Sequence, residues 1–183
     1  MWRDIFVTIA QLIVASPGAW KDIDREKRPL SDFLNRFLHP IVGIITLTTF
    51  IGGLWLTRDG DVESALKNVI ITVVAVYGGY YLAAYALNET APRFGLTRDM
   101  PRFQQFVGYA SVVLYALYMI IPFLSDFFIL WIFALYTIHL VNTGAKFYMK
   151  VPAGNRVNFS ILATALVVLT PALIQALFSF LLR

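Results

Sequence analysis

Tyr136, His139, Asn142 and Lys146 recur every three or four residues inside an apolar run over 127–151, so a helix places them on one stripe. An imidazole set between a phenol, a carboxamide and an ammonium could relay a proton or pass an ion through a membrane. The same groups could instead hydrogen-bond between helices, each contact worth around 1 kcal/mol. Either reading needs neighbours, because an unpaired polar group in hydrocarbon costs a few kcal/mol; the stripe is expected to face other protein or a wet cavity. Glu89 ends another apolar run at the same expected depth as Lys146, which makes the two a candidate pair.

Other chemistry is sparse. Cysteine is absent, which removes disulfides and thiolate sites, and His39 and His139 are the only imidazoles. Asp59, Asp61 and Glu63 alternate in one short loop, but three carboxylates fall short of the six to eight oxygens that calcium takes; a solvated hairpin is the expectation. Tyr77, Tyr81 and Tyr85 repeat at four-residue spacing around Gly78 and Gly79, a pattern of close helix contact more than of a phenol-lined path. No metalloprotease, nucleophile-elbow or phosphate-loop motif occurs, so neither enzymatic activity nor a cofactor is expected.

The elements that would position these groups are membrane helices. Of 183 residues, 58% are hydrophobic and 14% charged, with a mean hydropathy of +0.69, far from the balance of a soluble domain. Apolar segments near 37–56, 65–87, 104–124, 127–148 and 157–182 each reach the roughly 20 residues that cross a bilayer. The expected architecture is an all-α polytopic membrane protein with five transmembrane helices. The third and fourth are joined tightly at 122–126, and Pro122 and Pro171 are expected to kink or end their helices. Residues 1–36 form a separate segment. In it, Trp2, Ile5, Phe6, Ile9, Leu12 and Ile13 share one face of an expected interfacial amphipathic helix, broken at Pro17 and Gly18. A cleaved leader fits this segment less well, because Asp4 is acidic and Pro17 follows Ala15 and Ser16.

Basic residues set the orientation. Arg3, Lys21, Arg25, Lys27, Arg28 and Arg36 precede the first span, Arg93, Arg98 and Arg102 lie between the second and third, and Lys146, Lys150 and Arg156 between the fourth and fifth. These twelve of the fifteen Lys and Arg residues fall on one side, leaving Arg58, Lys67 and Arg183 on the other. The bias places the N-terminus in the cytoplasm and the C-terminus outside. It also puts the tripeptides at Asn88 and Asn158 where glycosylation is not expected. The pI near 9.4 reflects this topology, with no nucleic-acid-binding framework around the basic residues.

Taken in order, the stretch from Ile13 through Pro17 and Trp20 to Ile23, then Pro40 and Phe50-Ile51-Gly52-Gly53, resembles the opening of bacterial members of the Yip1 family. Gly108-Tyr109 is similar to that family's third helix, and Leu135-Tyr136 through Leu140 to Gly144 to its fourth. The resemblance implies five spanning helices, a cytoplasmic N-terminus and a bacterial inner membrane. Eukaryotic members act in vesicle trafficking with prenylated Rab GTPases, but their D-L-Y-G-P motif does not occur here. The expected function is therefore membrane organisation or partner recruitment through a cytoplasmic face that includes Trp20, Arg25, Lys27, Arg28, Arg98, Arg102, Lys150 and Arg156. Anionic lipids or a protein are the expected partners, and Gly43, Gly52 and Gly53 or Gly78 and Gly79 offer faces for a homo-oligomer. The alternative is a small transporter or channel built on Tyr136, His139, Asn142, Lys146 and Glu89.

Overall fold

The chain turns at Ala15, where φ −129° and ψ 44° interrupt two short helices, α1 (Trp2–Val14) and α2 (Ser16–Glu26). Pro17 falls in the first turn of α2, where its missing N–H costs nothing. The computed structural model describes residues 2–55, 61–124 and 130–181, and the regular structure among them is entirely helical. Helices α1 and α2 pack on each other as a hairpin, and α2 lies along α9 (Tyr136–Phe147). Ile5 and Leu12 are buried in this packing, whereas Phe6 and Ile13, expected on the same face, are exposed.

The helix of the first apolar segment begins before that segment. Pro29, extended at ψ 152°, leads into an unbroken helix over Leu30–Trp55, built of α3 (Leu30–Phe33), a π-turn over Leu34–Leu38, and α4 (His39–Trp55). Arg36 and His39 therefore lie inside a helix of spanning length. Helix α5 (Val62–Thr90) starts on an Asp61 cap, whose carboxylate accepts from the Ser64 N–H at 2.7 Å. It tightens into a 3₁₀ turn ending at Gly95, whose φ of 74° suits glycine. Helices α6 (Met100–Ala110) and α7 (Val112–Ile120) meet at Ser111 and are bent by 46°. After α8 (Leu130–Ala134) and α9, the chain closes with α10 (Ala153–Leu181), which carries Pro171 in its interior.

Three described helices are long and apolar enough to cross a membrane, Leu30–Trp55, Val62–Phe94 and Ala153–Leu181, and the bent pair of α6 and α7 reaches that length and apolarity only when its two halves are taken together. Five were expected. The expected fourth span, 127–148, is divided between α8 and α9 within its described part. Residues 125–129, with the expected tight turn after Pro122, lie outside the described residues, as do Arg58, Asp59 and Arg183.

Close approach between helices depends on glycines. A Cβ on Gly79 would sit 2.7 Å from the ring nitrogen of Pro171, and one on Gly52 would sit 2.5 Å from the Pro122 Cβ. Gly78 and Gly53 are likewise opposed by Ile174 and Ala65, so four of the five glycines expected on an oligomer face are used inside the chain. Gly43 alone of the five opens onto free space. The core is aromatic: Phe33 and Phe37 pack on Tyr109 at centroid distances of 4.9 and 4.7 Å, and Phe106 packs on Phe159 at 5.8 Å.

Candidate functional site

Helix α9 presents its small side chains to the bundle and its polar stripe outward. Thr137, Leu140, Val141, Thr143, Gly144 and Ala145 are buried, while His139, Asn142 and Lys146 are exposed. The stripe, expected to face other protein or a wet cavity, thus turns away from the packed core. The physical reason is size: Gly144 is where Trp20 and Phe106 enter, and its added Cβ would stand 2.7 and 2.8 Å from their rings. That contact fixes which face of α9 turns inward.

Tyr136, His139 and Asn142 of the stripe line one wall of an open groove of about 1250 Å³ between α8–α9 and α10, together with Ile138, Ile161 and Leu169, and Lys146 lies outside it. Within it, the Tyr136 ring lies 5.2 Å from the His139 ring, and Asn142 Oδ1 accepts from Ser160 Oγ at 3.4 Å. Tyr136 donates to the Ile13 carbonyl at 2.6 Å, linking the groove to the tip of the N-terminal hairpin. Glu89 does not join this set. It pairs with Arg98 at 3.0 Å, and Lys146 lies over the Phe147 ring at 4.9 Å.

Trp20 is also corrected. It is 0% exposed and packs on Phe106, Tyr109 and Tyr148 at 5.7, 6.2 and 5.6 Å, so it anchors α2 to the bundle and offers no surface to a partner. One turn further on, Asp24 accepts from Arg102 at 3.0 Å and pairs with Lys150 at 2.8 Å. Arg102 also donates to the Tyr148 carbonyl and lies over that residue's ring at 4.9 Å. Gln105 donates to the Arg28 carbonyl at 2.8 Å and accepts from the Tyr148 hydroxyl at 3.0 Å. Asp24 thus joins the end of α2, the start of α6 and the turn after α9 in one cluster. Arg102 and Lys150, expected on a partner surface, are structural members of it.

The other basic residues divide similarly. Arg25 is 82% exposed and stands 3.9 Å from Asp22, and Arg28 pairs with Glu26 at 2.5 Å. Lys27 closes α2 in the left-handed conformation at φ 43° and is exposed. Arg156 is half-buried and donates to the Val151 carbonyl at 3.3 Å, bracing the start of α10. The exposed part of the expected basic surface is therefore Arg25, Lys27, part of Arg28, Arg98 beside Glu89, and Lys150, whose side chain is 66% exposed despite its pairing with Asp24.

One intramembrane pair escaped the reading from sequence. His39 Nδ1 lies 2.8 Å from the Tyr77 hydroxyl, directly after the π-turn, and Tyr77 stacks on Tyr81 at 6.5 Å. The only sequence signal was a histidine beside Pro40 at a segment edge; a partner 38 residues away leaves no local trace. Of the acidic loop, Asp61 caps α5 and Glu63 pairs with Lys67 at 2.9 Å. Among the described residues no cluster of three or more potential metal ligands occurs.

Apolar helices of spanning length around a shared aromatic core, tied at one end by a charged cluster, define a multi-pass membrane protein. Residues 11–174 match the family model of the Yip1 domain, and the chain belongs to that family. No curated protein and no solved structure matches it.

Proposed function

We propose that the protein is a non-enzymatic Yip1-type membrane organiser that recruits a partner, or anionic lipid, at the end of the bundle where the α1–α2 hairpin meets the two basic loops. The supporting observation is the Asp24 cluster, which turns three separate chain segments into one shaped surface. In this reading five helices near 37–56, 65–87, 104–124, 127–148 and 157–182 span a bacterial inner membrane. The clustered end is cytoplasmic, as the bias of basic residues favours. Arg25, Lys27 and Arg28 then lie at the headgroup level, where each cation is worth about 1 kcal/mol against an anionic leaflet.

The test is photo-crosslinking from native membranes, with the reactive residue at Gly18 and at Gly154, both exposed and open to an added side chain. One protein or anionic lipid captured at both positions, and lost when Arg25, Lys27 and Arg28 become glutamine, supports recruitment. Unchanged capture by the triple variant refutes the basic surface as its cause. A transport reading has less support, because Tyr136, His139 and Asn142 line an open lateral groove and not an enclosed path.

A further inference from the structure

The geometry points to a binding site for a single water molecule at the centre of the bundle, where Tyr80 of α5, Tyr115 of α7 and the Pro171 region of α10 meet. Tyr80 and Tyr115 are each 3% exposed; the Tyr80 hydroxyl has no hydrogen-bond partner in the protein, and the Tyr115 hydroxyl approaches Ser111 without making a full hydrogen bond. An unpaired buried hydroxyl is destabilising, and these two border the same space. That space is small, about 10 Å³, room for about one water.

Its walls complete the coordination. Ser111 borders the space and gives its hydroxyl proton to the Val107 carbonyl at 2.8 Å, leaving its own oxygen free to accept. Pro171 has no N–H, so the carbonyl of Val167, four residues earlier and also on the wall, lacks its helical donor. Two donors and two acceptors around one water volume match the two to four hydrogen bonds that buried waters make. A second space of about 10 Å³ serves as a built-in contrast. It is lined by Leu114, Leu117, Ile121, Val168 and Ala172 with Pro171 and Tyr118, and the Tyr118 hydroxyl already donates to Gln175 at 3.1 Å. That space is apolar and stays dry.

The site lies where α6 bends into α7 at Ser111 and where Pro171 interrupts α10. A water there supplies the hydrogen bonds that both irregularities withhold, and it gives the joint a partner that can re-form as the helices shift.

X-ray radiolytic labelling of the whole protein in bicelles, read by mass spectrometry, detects bound water through oxidation of the residues around it. The expected result is oxidation at Tyr80, Tyr115 and Pro171 at doses that leave the buried Phe33 and Phe159 intact. Labelling of Pro171 should fall several-fold in the Tyr80→Phe/Tyr115→Phe double variant, and each single phenylalanine should lower the unfolding midpoint. Absence of labelling at these residues in the unaltered protein overturns the proposal, whether or not the variants fold. So does a raised midpoint in the phenylalanine variants, since deleting an unpaired hydroxyl from a dry core relieves its desolvation cost.

Discussion

Gly144 and Trp20 should behave as one coupled site. Trp20→Ala removes a fully buried indole that touches three aromatic rings, a change that typically costs about 3–5 kcal/mol. Against a total stability of about 5–15 kcal/mol, that is roughly a fifth or more of what holds the fold. Gly144→Ala attacks the same contact from the other side. Its methyl would stand 2.7 Å from Trp20 Cζ2 and 2.8 Å from Phe106 Cε2, both rigid ring atoms, so about 1–3 kcal/mol is expected from overpacking. Trp20→Phe withdraws one of the two obstructing rings. The double variant Trp20→Phe/Gly144→Ala should therefore be more stable than the sum of its singles by about 1 kcal/mol, beyond the roughly 0.3–0.5 kcal/mol scatter of independent sites. The assay is reversible unfolding in mixed micelles titrated with SDS and followed by far-UV circular dichroism, which does not depend on the indole being altered. Strict additivity, or a Trp20→Ala midpoint equal to that of the unaltered protein, would show that α2 is not docked through this residue.

Other substitutions test separate contacts. Asp24→Asn should lower stability by about 1 kcal/mol because two cations lose their carboxylate, whereas Lys150→Ala, at a 66% exposed side chain, should cost less than about 0.5 kcal/mol; the same SDS titration compares them. Lys27→Gly should stabilise by about 0.5 kcal/mol, the relief of a left-handed lysine set against glycine's greater freedom when unfolded. Gly79→Ala should cost about 2–3 kcal/mol by driving α5 off α10, seen as loss of a disulfide formed between cysteines introduced on those helices. Asp61 has its carboxyl held below the ordinary value of 3.8, first by the Ser64 N–H and then by the Ser64 hydroxyl. A depressed acid stabilises fully above its unfolded value and loses that contribution as pH falls through the folded one. The first turn of α5 should accordingly fray below about pH 3.8, while Asp61→Asn should flatten that dependence as read by hydrogen exchange at Ser64.

The long helices could be read from their apolar runs, and the Asp61 cap and the 3₁₀ turn before Gly95 sit where local residue types put them. Contacts between distant segments could not be read so directly. Polarity suggested that His139 and Asn142 face inward, but the inward face of α9 was chosen by Gly144, whose meaning depends on a tryptophan 124 positions earlier. Trp20 stood in a charged stretch and so suggested surface, although its ring is buried, with Ser16 and Ala19 on the same side, while Lys21 and Asp22 beside it are exposed. Glu89 had two cations within plausible reach, and the nearby Arg98 won over Lys146. The interruption at Leu135 carries neither proline nor glycine, which is why 127–148 read as one unbroken helix.

The docking of the α1–α2 hairpin also constrains the order in which the protein can be assembled. Trp20, Asp24 and the Ile13 carbonyl are made first, yet they bind Phe106, Arg102, Tyr136, Gly144, Tyr148 and Lys150. While ribosomes are still adding the second half of the chain, the hairpin has no seat, and its buried face must wait in the bilayer surface or in the care of a chaperone. Nascent chains arrested before residue 140 should therefore leave Trp20 open to modification, and chains released after residue 150 should protect it. The hairpin is in this sense the lock on an already built bundle, and quality control that samples it would be reading whether the segments after it have been completed.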